Sequence, residues 1–208
     1  MHVYLSLATV SGCTQAEADA EWRRAAGEDE RDEIACIAWA VDDQPVQWVY
    51  RRLTGDNPDR VAESDLLVAF FRLLAEELSC PLVFVGHDVC CALRVLYQRA
   101  VVRGVRPPLP IPHDALPGVG PIYDTMTAWS GRDGYITLEQ LGAVLGLLAP
   151  DESPGDDGPE PGDGAQTPSP AQHDRMAYRC QSRVELVRRV HRRLIFDTLP
   201  LRNCTPAA

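Results

Sequence analysis

The sequence predicts an α/β fold organised as one domain, and three observations carry that reading. The chain has 208 residues and 45 % hydrophobic content, enough to bury one well-formed core. Short apolar runs at residues 3–10, 34–41 and 81–85 alternate with longer segments whose apolar residues recur at helical spacing. A long arginine-rich helical segment then occupies residues 174–196.

Residues 3–10 (Val-Tyr-Leu-Ser-Leu-Ala-Thr-Val) form the first strand, in which Ser6 and Ala8, two apart, point to one face. Residues 14–24 are polar, with helix-forming alanine and glutamate, and predict a surface excursion. Residues 34–41 and 47–52 predict paired strands joined by Asp42-Asp43-Gln44-Pro45, whose residue types suit a turn. Ser64 is the expected cap of a helix over 65–78, with Leu66, Leu67, Phe70, Leu73, Leu74 and Leu78 on its apolar face. After the buried strand at 81–85, a helix reaches Val102 and is stopped by Gly104 and the Pro107-Pro108 pair.

Residues 150–170 are rich in proline, glycine and aspartate with almost no large apolar side chains. Such a segment buries too little surface to offset its ordering entropy, which predicts a mobile acidic loop. The expected organisation is a single domain over 1–149 and 171–198, with that loop between and a tail at 199–208. In the last helix Met176, Val184, Val187, Val190 and Leu194 supply the buried face. Arg175, Arg179 and Arg183 recur every four residues as a stripe, and Arg188, Arg189, Arg192 and Arg193 extend the charge.

Net charge is −10, which opposes a nucleic-acid surface unless the basic groups are clustered. They are: acid concentrates in residues 28–33 and 151–163, and arginine near the C-terminus. The seven cysteines show no CxxC spacing, so reduced thiols are expected, with Cys36 packed as a small hydrophobe and Cys90-Cys91 filling space. No apolar run has bilayer length and the start has neither a basic leader nor a cleavage site, so no membrane partner and a cytoplasmic location are expected.

Three stretches carry a family resemblance. Ser6-Leu7-Ala8-Thr9 resembles a first motif of aspartate, any residue, glutamate, threonine. Gly86-His87-Asp88, then Cys91-Ala92-Leu93 and Arg99-Ala100, resembles a second: glycine-histidine-asparagine, phenylalanine-aspartate-leucine, and a helix ending in arginine-alanine. Arg179-Cys180-Gln181-Ser182-Arg183-Val184 resembles a third, tyrosine-cysteine, two residues, aspartate-valine. Residues 122–131, 135–138 and 145–147 keep the order of the intervening features. Over roughly residues 1 to 198 the chain is thus similar to the DEDD 3′-to-5′ exonucleases of the RNase H-like superfamily, particularly the bacterial group related to the proofreading domain of family-B DNA polymerases. The resemblance implies an RNase H-like mixed central sheet, an antiparallel edge hairpin plus parallel strands, flanked by helices.

It also implies that the catalytic acids are gone. The four positions that hold two magnesium ions in the family are Ser6, Ala8, Ala92 and Arg183 here. A two-metal nuclease needs carboxylates around ions about 3.5 to 4 Å apart. Alanine offers no ligand atom, serine a weak one, and arginine only donors on a permanent positive charge. No catalytic residue, metal or cofactor is therefore assigned. Asp88, Asp124, Asp174 and Glu185 are expected to cap, hydrogen-bond locally or face solvent, His87 to be structural, and Tyr178 and most of Trp39, Trp48, Tyr50 and Trp129 to pack.

Three functions stay open. The first is a non-hydrolytic protein that binds single-stranded nucleic acid through Arg175, Arg179 and Arg183, or assembles with a protein partner in a nucleoprotein complex. The second is a protein–protein adaptor without nucleic-acid contact. The third is an active exonuclease using relocated acids.

Overall fold

The computed structural model describes residues 1–10, 33–50, 62–76, 81–115, 120–148 and 170–196. Five strands form one mixed sheet: β1 (His2–Val10), β2 (Glu33–Val41), β3 (Gln47–Tyr50), β4 (Val83–Gly86) and β5 (Ile122–Asp124), in the order β3-β2-β1-β4-β5. β2 is antiparallel to both its neighbours, whereas β1, β4 and β5 run parallel. This is the RNase H-like arrangement of an antiparallel edge hairpin beside parallel strands. The helices are α1 (Glu63–Glu76), α2 (Val89–Val102), α3 (Thr125–Ser130), α4 (Leu138–Val144) and α5 (Pro170–Leu194).

Strand alternation divides the core into two layers. Val3 and Leu5 join Trp39, Phe84 and the apolar faces of α1 and α2 on one side. Tyr4, Cys36, Ala38, Ala40 and Val85 meet α4 and α5 on the other. β2 keeps its pattern only by bulging: Ala8 pairs with Cys36 but Thr9 pairs with Ile34, so Ala35 has no opposite residue. The extra residue lets Ile34 and Ile37 both reach the α1–α2 layer, which strict alternation forbids.

The bulge is tied to a buried charge network. The Ile34 amide donates to Glu63 Oε1 at 2.7 Å, and Arg99 of α2 grips both Glu63 oxygens, Nε to Oε1 at 2.9 Å and Nη2 to Oε2 at 2.6 Å. Arg103 adds Nε to Oε2 at 2.6 Å and also pairs with Glu33. One carboxylate thus joins β2, α1 and α2. Burial acts to raise the Glu63 carboxyl, but Arg99, Arg103 and the Ile34 amide outweigh it and hold it below the usual carboxylate range.

Several boundaries differ from expectation. α1 begins at Glu63, ahead of the expected cap Ser64, and Asp65 Oδ2 accepts from the Ala62 amide at 3.3 Å. Leu66, Leu67, Phe70, Phe71 and Leu74 bury its apolar face. α2 starts at Val89 and stops where expected, at Gly104 with φ 66°. α5 begins at Pro170, four residues before the expected Asp174. The predicted excursion at 14–24, strand residues 51–52, Leu78, the acidic segment from 150 to 169 and the tail at 199–208 lie outside the described residues. No helix among the described residues is long and apolar enough to cross a membrane.

Replacing Glu63 with Gln leaves two guanidinium groups without their anion. Urea denaturation is expected to show a loss of about 3–5 kcal/mol at neutral pH. Because the folded carboxyl titrates below its unfolded value, the wild-type advantage is full above about pH 4.3 and fades as pH falls through the folded value.

Candidate nucleic-acid interface at the carboxyl edge of the sheet

Parallel strands place their carboxyl ends on one edge, where α/β sheets commonly receive ligands. Here the ends of β1, β4 and β5 deliver residues 6–10, Gly86-His87-Asp88 and Asp124-Thr125 to that edge. The turn after β4 is tight. A Cβ on Gly86 would stand 2.8 Å from Val89 Cβ and 3.2 Å from the Leu5 carbonyl oxygen, so the motif glycine is required for close approach. Asp88 then turns left-handed at φ 57°, a conformation that Asp and Asn tolerate better than other side chains.

Asp124 closes two helices at once. Its Oδ1 accepts from the amides of Met126 and Thr127, capping α3, and also from Asp88 N at 3.2 Å. Its Oδ2 accepts from Val89 N at 2.9 Å, the first amide of α2. The capping and local hydrogen bonding expected of Asp124 is what it does. Asp88 sits beside it, and burial, then the Asp124 charge, push the Asp88 carboxyl up to about 6.

His87 ties the edge together. Its Nε2 donates to the Ile136 carbonyl at 2.8 Å, which sets the tautomer, and Nδ1 lies 3.0 Å from the Thr125 hydroxyl. Thr125 Oγ1 also reaches the Gly86 carbonyl at 3.1 Å. Burial lowers the imidazole's proton affinity, and Arg183 lowers it further against the opposing pull of the Ile136 carbonyl, Asp124 and Glu139. The structural role expected of His87 therefore agrees with its contacts.

Of the four positions aligned with metal-binding acids, Ser6, Ala8 and Arg183 belong to the α5 side of the sheet. Ser6 is nearly buried, and Cys180 of α5 lies on it, with Sγ 3.5 Å from Ser6 O and 3.6 Å from Ser6 Oγ. Ala8 packs into the same layer as Cys180 and Val184. Arg183, one turn further along α5, donates from Nη1 to Glu139 Oε1 of α4 at 2.8 Å. Ala92, in the first turn of α2, packs into the opposite layer. Among the described residues, no group of three or more His, Cys, Asp or Glu side chains is placed to hold a metal ion.

The thiols beneath Ser6 are set by their mutual contact. Cys36 is pushed up, first by its hydrogen bond with Cys180 and then by burial, while Cys180 is drawn down by that same bond. Cys36, Cys90, Cys91 and Cys180 are all free thiols.

The arginine stripe of α5 divides into two halves. Toward the C-terminus the side chains tie the helix down: Arg188 Nη2 donates to the Gln44 carbonyl at 2.9 Å, Arg189 to the Leu147 carbonyl, and Arg192 pairs with Asp43. Toward the N-terminus Arg175 and Arg179 are exposed. Between them Tyr178 is 70 % exposed, which corrects its expected packing role. Trp48 and Trp129 are both 45 % exposed, against the expectation that most of these rings pack, whereas Trp39 is core and Tyr50 is half-buried; Tyr135 is also exposed. Asp174 and Glu185 face solvent, Glu185 near Arg188 at 3.7 Å.

Sequence reasoning assigned Tyr178 to packing and did not single out Glu139. The spacing 175, 178, 179 is i, i+3, i+4, which places Tyr178 on the arginine face and was available as a signal. Nothing local marks Glu139 as a partner of Arg183. No protein-family model matches the chain, and no curated protein is significantly similar to it.

Asp88→Asn retains a residue suited to the left-handed turn and removes a carboxylate that is costly to ionise. The folded state holds the Asp88 proton more tightly than the unfolded chain does, so the acid lowers stability as pH rises from about 4 through about 6. The variant is expected to exceed wild type by about 1–2 kcal/mol above pH 6, after discounting for solvent screening, and to converge with it near pH 4. Thermal melts across that range check the sign.

Proposed function

We propose that this chain is a non-hydrolytic relative of the DEDD 3′-to-5′ exonucleases that holds single-stranded nucleic acid as a subunit of a nucleoprotein complex. The observation that carries the reading is the exposed face of α5, where Tyr178 stands between Arg175 and Arg179. Guanidinium groups that flank an exposed ring suit a single strand: the cations take phosphates and the ring takes a base face. Trp129, on a helix that packs against α5, offers a further exposed ring for stacking.

Loss of hydrolysis follows from the chemistry of Ser6, Ala8 and Arg183. The floor that would present anionic oxygens to cations instead presents small side chains, and Cys180 lies directly on Ser6. A guanidinium at 183 repels a divalent ion and attracts a phosphate. Retention without cleavage is the outcome of those two changes together.

Incubation of the purified protein with labelled DNA and RNA single strands, in magnesium or manganese, is expected to leave the strands at full length. Binding is expected to weaken with salt. Changing Arg175 and Arg179 to glutamate should flatten the slope of log affinity against log salt by about 0.7 for each lost phosphate contact. Metal-dependent shortening abolished by a site mutation defeats the non-hydrolytic part. Unchanged affinity in the double variant defeats the binding part, and a stoichiometric protein partner that co-purifies without nucleic acid favours the adaptor function.

A further inference from the structure

We infer that Glu139 is an internal stand-in for phosphate, occupying Arg183 until a phosphodiester of a bound strand displaces it. This rests on the single-strand reading above and identifies how the same surface is kept closed to other anions.

The contrast between two ion pairs supports it. Glu63 is buried and satisfied by Arg99, Arg103 and the Ile34 amide, so nothing from solvent can exchange with it. Arg183 and Glu139 meet through Nη1 and Oε1 at 2.8 Å, with side chains 43 % and 31 % exposed. A pair open to water to that degree contributes about 0.2–1 kcal/mol, well within reach of a competing anion. A phosphodiester oxygen offers the guanidinium an equivalent charge-assisted bond, and strand binding adds counterion release that Glu139 does not provide.

Position supports it as well. Arg183 is one helical turn beyond Arg179 on α5, so it continues the exposed row formed by Arg175 and Arg179. It also lies near enough to His87, at the carboxyl edge, for its charge to act on that imidazole. A strand that follows the row would meet Arg183 next, and Glu139 is what it would find there. The displaced carboxylate returns to solvent, since Glu139 lies on the first turn of α4, where the Thr137–Gln140 capping box holds the backbone without it.

The test measures binding of fluorescein-labelled oligothymidylate and oligouridylate to the full chain. Glu139→Gln is expected to tighten binding of at least one probe about two- to fivefold, the range set by the strength of an exposed ion pair. Its salt slope should stay that of wild type, because Arg183 meets a phosphate in both proteins. Glu185→Gln removes the same charge from a solvent-facing site on α5 and serves as the control for a general field effect. In an Arg183→Gln background the Glu139→Gln gain should vanish, and circular dichroism checks that each variant is folded. If wild type binds but Glu139→Gln gains no more than Glu185→Gln, or if the gain persists without Arg183, the inference is overturned and the single-strand reading stands. If no protein in the set binds either probe, both fall.

Discussion

Beside Tyr4 and Val85, the sheet face under α5 is made largely of small strand residues. Ser6 and Ala8 on β1 and Cys36, Ala38 and Ala40 on β2 form a floor against which Cys180, Val184, Val187 and Val190 pack. Close contact across a dense interior leaves few voids, and a carboxylate introduced into that floor would have to be paired or remain costly. The side chains that a two-ion nuclease would place at positions 6 and 8 are thus incompatible with this dry seam unless cations accompany them.

Two buried carboxylates cross-link the strands and helices by hydrogen bonding. Glu63 joins β2, α1 and α2, and its guanidinium partners compensate its burial. Asp124 joins the starts of α2 and α3 by accepting four backbone amides. Both sit where the backbone is irregular, at the β2 bulge and at the left-handed turn of Asp88. Irregular backbone leaves donors outside the regular ladders, and a buried donor demands an acceptor.

Charge on α5 follows a similar division of labour. Arg188, Arg189 and Arg192 fasten the helix to the Gln44 turn and to Leu147, and Arg175, Tyr178 and Arg179 are exposed. Arg183 stands at the boundary, engaged by Glu139 but open to water. A net charge of −10 therefore says little about local attraction, because basic side chains cluster on one helix.

The alternation of β1, the approximate length of α5, the stop at Gly104 and the glycine at the β4 turn were legible in the sequence, because strand period, helix period and turn chemistry are properties of neighbours along the chain. So was the absence of carboxylates at Ser6, Ala8, Ala92 and Arg183, which is a matter of residue type alone. Tertiary structure decided the rest. It turned Ala92 into the layer opposite Ala8, shifted β2 by one residue so that Glu63 gained the Ile34 amide, and set Glu139 against Arg183 across 44 positions of sequence. Which face of α5 is dry and which is wet depends on how the helix seats on the sheet, a rotation that the 3.6-residue period leaves open until the small floor beneath it is assembled.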